Sequence, residues 1–216
     1  MDESSLAAVE LVVRTMAQTA VDNEVYFSEL DAVVGDGDFG YSLARGFELV
    51  LQDFDSYERS DAGAFLKKIG VVITSRIGGT SGPIWGTAFL RAGTVAAGKT
   101  EITSAETIEM LRAAIEGIKQ RGQSDLGDKT LLDALVPAVD VLEQELNGGS
   151  SSSDAVASAA RKAREAAEAT NEMIAKRGRA AYTGERSIGT LDAGAIGVAV
   201  MFERVADAWP TDEKGA

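Results

Sequence analysis

The sequence predicts an all-α protein, an eight-helix antiparallel up-and-down barrel or bundle. Apolar residues recur at helical spacing through most of the chain, and strand signals are nearly missing. The periodic segments have similar lengths and are joined by short connections, as in proteins whose successive helices pack antiparallel. We therefore expect one domain over residues 1–216.

The composition excludes several classes of partner and of active site. The formal net charge of −13 at pH 7 argues against nucleic acid or an anionic membrane as a partner. The chain has no cysteine and no histidine, which excludes disulfides, thiolate chemistry, a Ser-His-Asp triad and a His-ligated zinc site. Any metal is therefore expected to be held by oxygen atoms. No signal-peptide pattern or membrane-spanning apolar run is apparent, which favours a cytoplasmic protein.

Hydrophobic periodicity places the eight helices. In the first half we expect a helix beginning after Ser4 or Ser5, one beginning near Phe39, one from Ala62 to about Ile77, and one following Ser81 and reaching Ala97. In the second half we expect helices from Thr103 through Ile118, from Thr130 to Leu146, from Asp154 to about Lys176, and from Ala193 to about Ala208. Thr103 and Glu106 form a capping-box pattern. The Gly/Ser stretch at residues 147–153 is either a domain boundary or an inter-helix loop. We favour the loop, because neither half alone has enough apolar faces for a core.

The stretch LDAVVGDGDFG (residues 30–40) concentrates Asp31, Asp36 and Asp38 among glycines. Glycine permits tight turns that aim several short carboxylates at one point. Mg²⁺ binds oxygen ligands, usually one or two carboxylates together with water and phosphate oxygens. The stretch is therefore a candidate metal site. The alternative is a solvated acidic turn in which one aspartate caps the following helix.

Two further stretches precede helices. GGTSGP (residues 78–83) offers backbone N–H groups, a helix dipole and two hydroxyls to a phosphate. The alternative, and the commoner use of such residues, is a capped turn with proline in the first turn of the helix. It lacks the Walker pattern and is not a P-loop. In the second stretch, GDKT (residues 127–130), we expect Asp128 or Thr130 to cap the helix that follows. Leu131 and Leu132 would then offer apolar surface to an adenine ring, if a nucleotide lies nearby.

Residues 177–194 are the longest departure from helical periodicity. The segment is rich in glycine, and Lys176, Arg177, Arg179 and Arg186 concentrate positive charge in an acidic protein. Long irregular loops in compact domains are usually lids or binding loops, and arginine suits phosphate oxygens. The alternative is a basic surface loop that pairs with acidic helix faces.

Four stretches together resemble one family. They are LDAVVGDGDFG, GGTSGPIWGTAF, RGQSDLGDKTLLDALVPA and KRGRAAYTGERSIGTLDAGA. Their order and spacing are similar to those of the nucleotide-binding L subunit (DhaL) of dihydroxyacetone kinases, or of the equivalent C-terminal domain of single-chain kinases. The resemblance runs from about Leu6 to Phe202. It implies an eight-helix antiparallel barrel with ADP or ATP at one end.

The resemblance also implies site residues. Asp31, Asp36 and Asp38 match the aspartates that hold two Mg²⁺ ions against the nucleotide phosphates. The other matching positions are Phe39, Gly40, Tyr41 and Ser42 at the phosphates, Thr80 and Ser81 at a helix start, Gly122 and Leu131 at the adenine pocket, and Arg179, Asp192, Ala193 and Gly194 in the lid. No catalytic base is implied in this chain.

The sequence departs from the family pattern in three places. Phe39 stands where the family commonly has histidine, and Ser42 where it commonly has asparagine. The lid contains GTLDAGA at residues 189–195 where GHQDPGA is usual. The aspartates and arginines are retained, so we expect Mg-nucleotide binding. The altered positions bear on nucleotide exchange and on substrate identity.

In the family, a K subunit holds the triose through a histidine and supplies the base. This chain has no histidine, so we expect a K-type partner, with a homodimer left open. Either ATP exchanges freely, or ADP stays bound and is rephosphorylated by an M-type phosphotransferase subunit; no residue separates the two versions. Dihydroxyacetone is the expected substrate, and a short ketose such as erythrulose is the alternative. The competing hypotheses are a non-catalytic nucleotide-binding regulator and a purely structural bundle.

Overall fold

The computed structural model of the protein describes residues 3–99 and 101–211, with side chains from residue 5 onward. This part of the chain contains nine α-helices and no strand, and so the prediction of an all-α protein is confirmed. The helices are α1 (Glu3–Asp22), α2 (Glu24–Ala32), α3 (Phe39–Gln52), α4 (Ala62–Arg76), α5 (Ser81–Val95), α6 (Ser104–Gly122), α7 (Leu132–Asn147), α8 (Ser152–Ala169) and α9 (Ala193–Ala208). None of these helices is long and apolar enough to cross a membrane.

Eight of the helices form a closed ring. Each of α3 to α8 packs against the helix that follows it, α1 packs against α3, and α9 packs back against α1. Consecutive helices that are joined by short connections and contact each other run antiparallel. The predicted antiparallel barrel of eight helices is therefore confirmed. The predicted single domain, which extends over residues outside the described ranges, stays a prediction.

The alternation of helix direction brings the candidate motifs together. Alternate helices of the ring point the same way, so the N-termini of α3, α5, α7 and α9 share one end of the barrel with the C-termini of α4, α6 and α8. Residues 31–42, 78–83, 122–131 and 170–194 all lie in the connections at this end or in the adjoining helix turns. Four helix N-termini also direct their positive dipole ends there, which favours a negatively charged ligand.

Small and apolar side chains hold the ring closed. Helix α8 presents fully buried alanines every four residues, at Ala155, Ala159, Ala163 and Ala167, which lets it approach its neighbours closely. Phe47 is also fully buried, and burial of such a ring contributes about 1.5–3 kcal/mol. The barrel interior encloses an apolar cavity of about 290 Å³.

The capping box at the start of α6 is confirmed. The Thr103 N–H donates to the Glu106 side chain at 2.8 Å, and the Glu106 N–H donates to Thr103 Oγ1 at 3.2 Å. Residues 148–151 connect α7 to α8, and these helices pack against each other. The Gly/Ser stretch is therefore an inter-helix connection.

Two features of the helices differ from the prediction. Helix α2 was not predicted. Its hydrophobic periodicity is weak, because Phe27 is its only buried residue. Helix α8 ends at Ala169 instead of near Lys176. The buried Thr170 hydroxyl donates to the Ala167 carbonyl oxygen at 2.6 Å and accepts the Asp192 N–H at 3.0 Å. The chain turns out of the helix at this contact with the start of α9.

Candidate functional site

The three aspartates meet at the start of α3. Asp31 lies in the last turn of α2, and Asp36 and Asp38 lie in the connection that follows. One carboxylate oxygen from each of the three lies within 4.8 Å of the others. Asp38 occupies the N-cap position of α3 but makes no side-chain capping bond, so its carboxylate is available to the cluster. This arrangement supports the metal-site hypothesis over the capped acidic turn.

Gly35 makes the cluster geometrically feasible. A Cβ atom at this position would lie 2.2 Å from Asp31 Oδ1 and 2.8 Å from Asp31 Cγ. Any larger residue would therefore displace the Asp31 carboxylate. The Gly35 N–H also donates to the Asp31 carbonyl oxygen at 2.6 Å, which closes the turn.

The electrostatics of the cluster favour a bound cation. Burial and the negative charges of Asp36 and Asp31 raise the pKa of Asp38 above its ordinary value, while Arg179 opposes this shift. Arg179 forms an ion pair with Asp36. One guanidinium thus offsets part of the charge of three carboxylates. A hard divalent cation with oxygen ligands would offset more of it.

The start of α3 contains the next four candidate residues. The Phe39 N–H donates to Asp31 Oδ2 at 3.4 Å, and the Tyr41 N–H donates to Ser28 Oγ at 3.1 Å. The Phe39 ring lies 6.1 Å from the Phe27 ring, turned into the contact between α2 and α3. Phenylalanine at this position therefore contributes to packing.

Gly40 and Ser42 occupy different surroundings. A Cβ on Gly40 would lie 2.1 Å from the Glu24 carbonyl oxygen, so this glycine permits the close approach of α2 to α3. The Ser42 N–H donates to the Asp38 carbonyl oxygen at 2.8 Å, within the first turn of α3. The structure thus gives Gly40 a packing role, and phosphate contacts at residues 39–42 stay predictions.

The start of α5 lies beside the start of α3. A Cβ on Gly78 would be 3.9 Å from Ser42 Oγ, which places the GGTSGP stretch next to the aspartate segment. Thr80 is exposed and holds the N-cap position of α5 without a side-chain capping bond. The Thr80 hydroxyl therefore does not cap the helix, as it would in the alternative of a Thr-capped turn. Ser81 begins the helix and is half-buried.

Residues 122–131 connect α6 to α7. A Cβ on Gly122 would lie 3.6 Å from Ile84 Cδ1, and a Cβ on Gly194 would lie 3.3 Å from Leu131 Cβ. Leu131 is half-buried and adjoins the start of α9. Leu132, in contrast, is fully buried, so the expectation that its side chain offers surface to an adenine ring is wrong.

Asp128 has a different role from the predicted cap. Its carboxylate accepts hydrogen bonds from the Asp125 N–H at 3.1 Å and from Arg177 Nε at 3.0 Å. Burial alone would raise the pKa of Asp128, but these hydrogen bonds outweigh it and hold the pKa below its ordinary value. Thr130 Oγ1 accepts the Leu132 N–H at 3.2 Å, which satisfies one group at the start of α7.

Residues 170–192 form the α8–α9 connection. They are ordered by 3₁₀ turns and by contacts with the other connections at this end of the barrel. A 3₁₀ helix covers Arg179–Ser187 and is interrupted at Gly184. Arg179 is 68% exposed and reaches Asp36, so the connection extends over the aspartate cluster. Tyr182 is 91% exposed, which places the middle of the connection at the surface.

Asp192 ends the connection. It is the N-cap of α9, and its carboxylate accepts the Ala195 N–H at 2.7 Å. Burial raises the pKa of Asp192 to about 7, with the Ala195 hydrogen bond opposing. Ala193 is buried, and a Cβ on Gly194 would touch Leu131, so the start of α9 lies against the α6–α7 loop.

The structure therefore brings the predicted residues to one end of the barrel, and their contacts with a ligand stay predictions. It also reveals Lys129, which the sequence pattern does not single out. Lys129 is 3% exposed and bonds to the α8–α9 connection. Nothing in the sequence marks this lysine, which lies between the two predicted cap residues, as buried.

Comparisons with known proteins agree with this geometry. The sequence matches the DAK2 domain family over residues 33–207. It is 38% identical to the ADP-binding subunit DhaL of the PEP-dependent dihydroxyacetone kinase of Escherichia coli K12, over 84% of this chain and 86% of that subunit. It is 36% identical to L-erythrulose 1-kinase of Mycolicibacterium smegmatis, over 91% of this chain but 34% of that enzyme.

The fold is also similar to solved structures. The dihydroxyacetone kinase of C. freundii in its native form superposes with a TM-score of 0.73 and 26% identity, covering 94% of this chain. Its complex with AMP-PNP and Mg²⁺ gives a TM-score of 0.72 and 25% identity, covering 97% of this chain. In both cases this chain spans 34% of the solved chain.

Proposed function

Because the chain belongs to the DAK2 domain family of dihydroxyacetone kinases and their DhaL subunits, we propose that it is the nucleotide-binding subunit of a dihydroxyacetone or related short-ketose kinase. The chain holds Mg-ADP or Mg-ATP at the end of the barrel that carries the aspartates. A separate K-type subunit holds the substrate. The observation that carries the proposal is the convergence of Asp31, Asp36 and Asp38 to within 4.8 Å, beside Arg179.

The aspartates fit Mg²⁺. All three donors are carboxylate oxygens, the ligand type that this hard cation prefers, and their mutual repulsion is only partly offset by Arg179. We propose two Mg²⁺ ions at this cluster. Bound there, they would offset negative charge on the phosphate oxygens.

The chain's own residues orient the phosphates. Thr80 and Ser81 offer hydroxyls and backbone N–H groups at the positive end of α5, and residues 39–42 do so at α3. Arg179 supplies forked donors that suit phosphate oxygens. With nucleotide bound, this guanidinium, which pairs with Asp36 in the structure, would be able to stabilise the charge on the phosphoryl group.

The adenine ring binds between the α6–α7 loop and the start of α9. Leu131 and Gly194 adjoin there, and Gly122 lies near Ile84 on the neighbouring helix. Leu131 and Ile84 supply apolar surface. Asp192, the N-cap of α9, and Ala193, its first residue, complete this wall.

Catalysis in this subunit is positioning and charge neutralisation. The chain has no histidine, so binding of the ketose and supply of the base fall to the K-type subunit. Relatives named as ADP-binding DhaL subunits support a separate partner, and relatives named as erythrulose kinases support the alternative substrate. The regulatory alternative is not favoured, because these relatives are kinases or kinase subunits.

Reconstitution tests the proposal. Triose phosphate formation is measured with ATP, and separately with a phosphoenolpyruvate-driven M-type relay, each with and without the K-type subunit. We expect product only when the K-type subunit is present, and the phosphoryl source that works distinguishes the two versions of the kinase. Activity of the isolated chain would contradict the division of labour. Failure of every mixture, despite tight Mg-nucleotide binding, would favour the regulator.

A further inference from the structure

Lys129 is a buried cation surrounded by neutral oxygen atoms. The residue is 3% exposed, and burial lowers the pKa of its ammonium group while Asp192 opposes the shift. Its Nζ donates to the carbonyl oxygens of Met173 at 3.2 Å, of Ser187, and of Thr190 at 2.8 Å, and it lies 3.3 Å from Thr190 Oγ1. An ammonium group has three protons to donate and accepts none, so this cage of acceptors suits it.

These acceptors lie where the α8–α9 connection folds back on itself. The Gly189 N–H donates to the Asn171 carbonyl oxygen at 2.8 Å, and the Ala175 N–H donates to Ser187 Oγ at 2.9 Å. Residues 170–175 and 187–192 therefore run side by side, and we call this pair of arms the neck. Residues 176–186, the tip, extend from the neck and include Arg179. The Lys129 ammonium bonds to both arms.

The α6–α7 loop makes a second attachment to the same connection. The Lys176 N–H donates to the Asp128 carbonyl oxygen at 3.0 Å, and Arg177 Nε donates to Asp128 Oδ2. Lys129 itself has φ of +60°, a conformation that side chains other than glycine rarely adopt. Such strain persists where the surrounding contacts fix the residue. Here the fixed group is the ammonium inside the neck.

We propose that Lys129 is a positioning residue that closes the neck, so that the tip presents Arg179 to the aspartate cluster. The effect on nucleotide affinity rests on the proposed function. The effect on the neck does not, because cleavage of the tip is measurable without nucleotide. Failure of this proposal and failure of the proposed function are therefore distinguishable.

Two variants and a chemical rescue test the role of the cation. Lys129→Gly suits the positive φ and leaves a space with the shape of n-butylammonium, which is the side chain removed. Lys129→Met keeps an apolar stem without the charge. Lys162→Met is the control, because Lys162 bonds to Glu165 on the surface of α8. Each protein is exposed to an arginine-specific protease, and its dissociation constant for Mg-ADP is measured well below its melting temperature.

For both Lys129 variants we expect cleavage at Arg177, Arg179 and Arg186 to be about 10-fold faster. We expect Mg-ADP binding about 10-fold to 100-fold weaker, because buried carbonyl groups lose their donor. n-Butylammonium should restore both properties of Lys129→Gly, whereas 1-butanol should not.

Wild-type cleavage and affinity in Lys129→Met would overturn the proposal, as would equal rescue by 1-butanol. If the wild-type protein fails to bind Mg-ADP, the proposed function fails, and the cleavage rates still decide the role of Lys129.

Discussion

Gly35 sets the position of the Asp31 carboxylate, and Gly35→Ala tests whether the geometry of the cluster governs Mg²⁺ affinity. The added Cβ would lie 2.2 Å from Asp31 Oδ1, so the carboxylate must rotate away. It would also lie 2.8 Å from the Asp31 carbonyl oxygen, which accepts the Gly35 N–H, so the turn itself must open.

The magnitude follows from these contacts. Crowding of this kind costs about 1–3 kcal/mol of folding stability, which a protein of this size can tolerate. Rotation of Asp31 removes one of the three carboxylates from the cluster. We therefore expect the affinity for Mg²⁺, at saturating ADP, to fall about 10-fold to 100-fold, as when a group that orients a metal ligand is changed.

Melting temperature recorded during a Mg²⁺ titration at fixed ADP measures this affinity. Gly148→Ala is the matched control. Gly148 ends α7 at the opposite end of the barrel with φ of −76°, and a Cβ there would meet the Gln144 carbonyl oxygen at 3.2 Å. The control should keep the wild-type Mg²⁺ affinity. A folded Gly35→Ala protein with unchanged Mg²⁺ affinity would refute the reasoning.

Two other predictions concern the tip and the capping box. Without nucleotide, an arginine-specific protease should cut the wild-type protein near Arg179 or Arg186, because these side chains are exposed. Mg-ADP should suppress this cleavage. Equal cleavage with and without Mg-ADP would exclude a nucleotide-linked lid. Lys99 and Thr103 hydrogen bonds lower the pKa of Glu106 from 4.5 to about 2, so its stabilising effect is full above pH 4.5 and is lost as pH falls towards 2. Urea unfolding should show Glu106→Gln less stable than wild type at pH 7 with a difference that disappears near pH 2; a pH-independent difference would contradict this.

Much of the barrel was predictable because its helices carry strong local signals. Helix α9 was expected from Ala193 to about Ala208 and has those bounds, since its apolar residues and its Asp192 cap agree. The aspartate cluster was also predictable as a hypothesis, because its three members lie within one turn of chain. Local glycines and carboxylates are visible in sequence.

The remaining features depend on long-range contacts. Helix α8 ends where Thr170 bonds to Asp192, a residue on the next helix, and nothing in the alanine-rich sequence marks that point. The burial of Lys129 requires carbonyl groups about sixty positions away, at Ser187 and Thr190. The ion pair of Arg179 with Asp36 likewise joins the last motif to the first. A single sequence shows the charges but not their pairing.

Calorimetric titration of ADP tests the central claim most directly, that the aspartate cluster holds Mg-nucleotide. The wild-type protein and Asp36→Asn are titrated with Mg²⁺ present and again with the metal chelated. We expect the wild-type protein to bind ADP tightly only with Mg²⁺, and Asp36→Asn to bind about 10-fold to 100-fold more weakly while keeping its fold. ADP affinity that depends neither on Mg²⁺ nor on Asp36 would contradict the claim.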